Sequence, residues 1–384
     1  MSLLEWPGLL HVHRDGKEIV ARFARPMRVI CTEPAAGGIR DDVTACYGHQ
    51  LCEAAGAEHE AIRQPHLDQL HLDRCARLGV DPMTTIGLAT AANVRCAGVA
   101  TASFAGLEVA AVCTAGVEGN ALCAGDPSGF HEVDGRIELL DTSLPPTGTI
   151  ISMVFVNQEL TAAALTRAAV TATEAKAAAL RELLVGSRYS SRQATGTGSD
   201  QLLIACPRGD EFPLTEAGGH AKLGELIGRC VHDAIVEALD LQNSLTATKC
   251  RSLTTQLARF GVSKAGLIAA ADELLSPPRA DFFTANFLSV DRDPFVVAAA
   301  AGLATIADQL ECGILPASAA EELAQWTGAQ LAHAAALGDG DLAQFLAELT
   351  GAHFDVPTLT ARAICLGFSH KWDRLDGVLD SSLG

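Results

Sequence analysis

Apolar and polar positions near the start of the chain follow a strand rhythm. Leu9–His13 and Glu18–Phe23 flank Arg14-Asp15-Gly16-Lys17, and an Asp-Gly step between two such runs predicts a hairpin over residues 8–24. Arg28–Cys31 predicts a short strand that leads into a flexible loop, Ala35-Ala36-Gly37-Gly38-Ile39. Residues 45–78 are polar and rich in His and acidic residues, a helical or loop pattern that Asp81-Pro82 breaks. Short apolar runs between small residues over 84–117 predict strands, and Thr149–Val156 predicts another. The stretch between them, 118–149, is irregular, with Gly119, Gly125, Asp126-Pro127 and Pro145-Pro146. Long loops of that kind in compact domains are functional or mobile.

Helical spacing then takes over. Glu159–Ala169 predicts one helix. Thr171-Ala172-Thr173-Glu174 has the form of a capping box that opens a second, alanine-rich helix to Leu184. A glycine-rich loop, Ala194–Asp200, runs into the apolar strand 201–206. A further loop precedes an amphipathic helix over 221–241, whose Leu223, Leu226, Ile227, Val231, Ile235 and Leu239 keep one face. After about residue 245 strand signals nearly vanish. The expected architecture is an α/β (α+β) N-terminal domain, residues 1–245, with a mixed sheet and helices, and an all-α C-terminal domain over 253–384.

Composition narrows the partners. The 384 residues carry a formal net charge of −18, which repels nucleic acid phosphates and an anionic membrane surface alike. A neutral or cationic small molecule is compatible with that charge. The N-terminus lacks a basic, apolar leader, and no charge-free run reaches the roughly 18 residues that a spanning helix needs. Twelve cysteines are scattered with no Cys-x-x-Cys pair, so reduced thiols in the cytoplasm are expected, with no metal centre. His11 and His13 share one strand face but lack a third ligand nearby, and His66 and His71, five apart, read as solvated.

Three stretches carry candidate chemistry. Cys113-Thr114-Ala115-Gly116-Val117, followed by Asn120, offers small residues at a strand end, where a substrate can approach the backbone. On spacing alone a plain tight turn, with Asn120 left-handed, is the simpler account of that stretch. Thr195-Gly196-Thr197-Gly198-Ser199-Asp200 exposes N–H groups able to hold an oxyanion, while Asp200 is either a general base or a turn cap. Because a strand follows the loop, it is neither a dinucleotide fingerprint nor a phosphate loop. In Gly218-Gly219-His220-Ala221-Lys222-Leu223-Gly224-Glu225 the histidine stands at a helix mouth, where the dipole favours a neutral imidazole. The plain alternatives are a capping histidine and a surface ion pair between Lys222 and Glu225.

Taken in order, five segments resemble the adenosylcobinamide amidohydrolase family over about residues 20–245. They are Val29–Ile39, 113–126 (CTAGVEGNALCAGD), 148–183, 194–206 (ATGTGSDQLLIAC) and 218–239 (GGHAKLGELIGRCVHDAIVEAL). The resemblance implies hydrolysis of the amide that joins the cobyric acid part of adenosylcobinamide to its aminopropanol arm. The cobalt corrinoid is then the substrate, and no cofactor is needed. The family pattern has Thr-His-Ser-Lys where this chain has Gly219-His220-Ala221-Lys222, so two hydroxyls are missing, and Thr often stands at the position of Ser199. Tyr47-Gly48-His49 also departs from the family pattern.

The expected mechanism has His220 activating water and Glu225 sharing its proton, with Asn120 or the 195–198 N–H groups at the oxyanion. Lys222 neutralises charge, and Thr114, Gly116, Thr195, Gly196, Thr197 and Asp200 line the substrate. A covalent route through Thr114 or Cys113 is the rival. Two alternatives lie outside it: a corrinoid-binding or regulatory protein without turnover, and a hydrolase of another cobamide amide. The helical tail is open to dimerisation into a homo-oligomer, to corrinoid handling, or to no part in catalysis.

Overall fold

The Asp-Gly step at Asp15-Gly16 closes a hairpin between β2 (Leu10–Asp15) and β3 (Glu18–Cys31), with β1 (Ser2–Trp6) added outside β2. The computed structural model describes residues 1–34, 36–51, 67–140, 148–351 and 355–382. His66 and Pro145-Pro146 lie outside them.

At 14 residues, β3 absorbs the separate strand expected at Arg28–Cys31. Its first half pairs with β2 and its last four residues with β13 (Gln201–Cys206), all on one edge. An irregularity between Arg22 and Met27 separates the two pairings. The other edge carries β4 (Gly38–Gln50), which corrects the helical or loop expectation for residues 45–50. The polar reading arose because β4 buries Val43, Cys46 and Gly48 on one face while Tyr47 and His49 point to the other. On that second face α1 (Leu67–Leu78) brings in His71, which bonds the Tyr47 hydroxyl at 2.8 Å and the Pro82 carbonyl at 3.1 Å. His71 is therefore engaged and not simply solvated.

β5 (Thr85–Thr90) runs parallel to β4. The remaining strands extend the sheet beyond β13 in the order β11 (Ile150–Val156), β7 (Leu107–Ala115), β6 (Gly98–Phe104). β11 is parallel to β13 and antiparallel to β7. The sheet curls until Gly48 faces Ile151 and Met153, so Ile19, Met27, Ile86, Val112, Ile151 and Met153 share one core.

The opposite face of β6 and β7 is covered by α3 (Lys222–Asn243), beside α2 (Ala162–Glu182). Burial on both faces explains why β11 reads as an unbroken apolar run. α2 is one helix, not two. Thr161 caps it, and Thr171, expected to open a second helix, sits buried inside it and donates to the Ala217 carbonyl at 2.7 Å. Two short pairings complete the strands: β8 (Ala121–Leu122) with β12 (Gly196–Thr197), and β9 (Phe130–Val133) with β10 (Arg136–Leu139), within the stretch that read as irregular.

The chain divides into two compact units, Met1–Thr246 and Ala247–Gly384. The second is helical throughout: α4 (Ala247–Cys250), α5 (Leu253–Leu257), α6 (Lys264–Leu274), α7 (Pro277–Asp291), α8 (Pro294–Glu311), α9 (Ala317–Ala335), α10 (Leu342–Leu349) and α11 (Val356–Ser382). Its own core gathers Leu257, Phe283, Leu303, Ala332, Phe345 and Phe368, with Phe283 edge-on to Phe368 at 5.3 Å. Among the described residues no helix is long and apolar enough to cross a membrane. The described cysteines are all free, and most are buried.

Close approach of α3 to β6 depends on Gly98, where a Cβ would run into the Ala234 carbonyl and come within 2.8 Å of Ala238 N. Both obstacles are backbone and cannot rotate away. Gly98→Val is therefore expected to destabilise the fold by about 3 kcal/mol in urea unfolding, and a midpoint equal to wild type would contradict this packing.

Candidate functional site

Strand directions decide which loops meet. β7 runs against β11, and β11 runs with β13, so the end of β7 and the starts of β11 and β13 lie at one edge of the sheet. Gly116, Asn120, Gly148, Thr149 and the Thr195–Asp200 loop converge there. Gly148 makes the convergence tight: a Cβ would sit 2.9 Å from the Gly116 carbonyl and 3.0 Å from Asn120 Cβ. Asn120 is consequently buried. Its Nδ2 donates to the Gly148 carbonyl at 3.1 Å and its Oδ1 accepts the Tyr189 hydroxyl at 2.9 Å. Its φ is negative, so the left-handed turn does not form.

Asp200 organises the glycine loop. Its Oδ1 accepts from Ile150 N at 3.0 Å and Thr197 Oγ1 at 2.6 Å. Its Oδ2 accepts from Thr197 N at 3.0 Å and from the Lys176 ammonium of α2. Four donors occupy this carboxylate, so of the two roles weighed for Asp200 the geometry matches the turn cap and not the base. Thr197 is spent on the same contact, and Thr195 Oγ1 accepts Ala124 N at 2.9 Å. Gly196 leaves room for the Asp200 carboxylate.

The groups that face outward are different ones. Ser199 donates to the Gly148 carbonyl at 3.0 Å and accepts the Thr149 hydroxyl at 2.7 Å. Gly198 and Ser199 are exposed. A groove of about 450 Å³ reaches the loop at Asp200, lined by Ile150, Asp200 and Leu202 on one side and by Thr166, Thr173 and Lys176 of α2 on the other.

A second carboxylate holds the Tyr189 loop. The Asp126 side chain is 1% exposed and accepts from Ser187 Oγ and Arg192 Nη2, both at 2.6 Å, and from Cys123 N at 2.7 Å. Burial pushes its pKa up, but the hydrogen bonds from Ser187, Ser190, Cys123 N and Arg192 outweigh burial and hold it down to about 2.

The structure does not bring His220, Lys222 and Glu225 to this cluster. β13 carries the chain away from Asp200, and α3 starts beside the β6–β7 turn, where Lys222 lies 4.8 Å from the Phe104 ring centroid. That is the far edge of the sheet, about 20 Å along β11. His220 is an exposed turn residue, and Lys222 Nζ and Glu225 pair at 2.5 Å on the surface. Their hydrogen bond holds the Glu225 carboxyl below its ordinary pKa. A dyad of His220 and Glu225 acting beside Asn120 is thus not assembled within the chain.

Thr114 and Cys113 are no better placed for a covalent route. Thr114 is 3% exposed and faces Thr90, and burial pushes the Cys113 thiol up to about 12. His11 and His13 do stack on one strand face, ring centroids 4.9 Å apart.

Sequence reasoning missed Lys176, Tyr189 and Thr149. Lys176 had a signal: it is a cation amid alanines on a helix whose neighbouring positions are buried. Tyr189 and Thr149 had none, because their partners are remote in sequence.

Convergent polar groups beside a groove have the layout of a small-molecule site. A family model for adenosylcobinamide amidohydrolase matches residues 4–247, and the chain belongs to that family of hydrolases. It is 34% identical over 175 residues to the uncharacterized protein MJ1613 of Methanocaldococcus jannaschii, covering 44% of this chain and 68% of the relative. Among solved structures it matches the PH0078 protein of Pyrococcus horikoshii OT3 at 13% identity with a TM-score of 0.29, over 62% of this chain and 82% of the other.

Ala221 is the N-cap of α3 and makes no side-chain cap bond. A serine there would cap the helix, so Ala221→Ser is expected to add about 1 kcal/mol in urea unfolding. Asp126 gives a prediction with a pH sign. Its folded pKa lies below the ordinary 3.8, so its contribution is present above that value and disappears as pH falls towards about 2. Asp126→Asn should cost about 2 kcal/mol at pH 7, with the gap from wild type narrowing below pH 4. A gap independent of pH would contradict this assignment.

Proposed function

We propose that the chain hydrolyses the amide joining the cobyric acid part of adenosylcobinamide to its aminopropanol arm, and does so at the strand-end cluster. Family membership supports the substrate class. The observation that carries the location is the exposed Gly198–Ser199 step, with its Ser199–Thr149 hydroxyl pair, next to Asp200 at the end of the groove.

The reaction adds water to the amide carbon and breaks the C–N bond. One proton of that water passes to the departing nitrogen, leaving adenosylcobyric acid and the free aminopropanol. Negative charge builds on the carbonyl oxygen in the tetrahedral state. A fixed N–H such as that of Gly198 stabilises that charge without reorganising, because its loop is already held by Asp200. The Ser199 hydroxyl, held by Gly148 and Thr149, orders the attacking water. Tyr189 and Asn120 keep the opposite wall rigid. Gly116 and Thr195 shape that wall, and Thr114 supports it from the interior.

Turnover should be followed by mass spectrometry on adenosylcobinamide and on a complete cobamide. Adenosylcobyric acid from the first and no cleavage of the second is expected. Tight binding of both without product would replace this reading with a corrinoid-binding role. The double change Thr149→Val, Ser199→Ala should lower kcat by about 100-fold, while His220→Ala stays within about threefold of wild type. The reverse ranking would move the chemistry to the α3 end.

A further inference from the structure

Lys176 stands at the junction of the groove and the glycine loop, yet its charge is already engaged. Its ammonium meets Asp200 Oδ2, and the two side chains are 16% and 14% exposed. The same carboxylate oxygen receives Thr197 N, while Oδ1 ties down Thr197 Oγ1 and the first residue of β11, Ile150. One ion pair therefore links α2, β11 and the loop. The loop is folded closely around that pair: a Cβ at Gly196 would lie 2.9 Å from Lys176 Nζ and collide with the Asp200 carboxylate.

The remaining donors to Asp200 are neutral. Without Lys176, a largely buried carboxylate would lose its cationic partner, which favours turning it towards water. Turning it releases Thr197, and with it the backbone that presents Gly198 and Ser199.

We propose that Lys176 is a positioning residue for the amide reaction, acting through Asp200 to hold the 195–199 backbone in its donor geometry. This rests on the strand-end reading above. It follows that Lys176 governs the chemical step more than substrate affinity, because the geometry it maintains matters most where charge develops. It also follows that arginine can replace it in part, since a guanidinium can still pair with the carboxylate.

The test compares wild type, Lys176→Met and Lys176→Arg in the full-length protein. It measures kcat and KM on adenosylcobinamide, and hydrogen exchange of peptides spanning 194–201 without substrate. Lys176→Met should exchange about tenfold faster in that segment and lose at least about tenfold in kcat, with KM within about threefold. Lys176→Arg should recover most of both. Exchange and kcat within about twofold of wild type in Lys176→Met would overturn the proposal. So would a raised KM at unchanged kcat, which would make Lys176 a direct substrate contact.

If wild type itself does not cleave adenosylcobinamide, the functional reading fails, and the exchange comparison still decides whether Lys176 holds the loop. If Lys176→Met does not fold, Asp200→Asn supplies the same exchange comparison, with faster exchange expected and unchanged exchange counting against the proposal.

Discussion

A largely buried carboxylate must be surrounded by donors, and at Asp200 that requirement organises one edge of the sheet. Its four hydrogen bonds come from a helix, a neighbouring strand and the loop that precedes its own strand. The surrounding glycines follow from it. Gly196 leaves room for the carboxylate, and Gly148 lets the Asn120 segment close against the same edge. What faces solvent is the Gly198–Ser199 step, its hydroxyl held by Gly148 and Thr149.

The scaffold serves this edge by being rigid on both sides. β11 is buried on both faces, between a curled sheet and the layer of α2 and α3. Close contacts such as that of Gly98 with Ala234 leave little slack there. A loop anchored to the first residue of such a strand inherits its position. Asp126 performs a similar service for the Tyr189 segment, with Ser187 and Arg192 as its donors.

The two polar stretches that looked most like one active site are a strand length apart. His220 belongs to the turn that opens α3, and the helix starts there because β13 has carried the chain across the sheet. At that end Ala221 leaves the helix without a side-chain cap. At the other end the loop hydroxyls Thr195, Thr197 and Ser199 are present and engaged.

Much of the fold was legible because it depends on local periodicity. The Asp-Gly hairpin, the apolar run of β11, the face of α3 and the helical tail are written in patterns of two or 3.6 residues, which backbone geometry reads directly. The family was legible in the order of its motifs. The polar look of β4 hid a strand, because the Tyr47 hydroxyl and His49 find polar partners in His71 and Glu18 on its second face, and Thr171 resembled a cap because its partner, Ala217, lies 46 residues away. The candidate site was legible as a set of segments but not as an arrangement. Sequence alone determined which residues are small, polar or charged. Tertiary structure decided that Asn120 and Asp200 share an edge with Lys176 while His220 does not, because strand direction, which no local pattern encodes, sets the end at which each loop emerges.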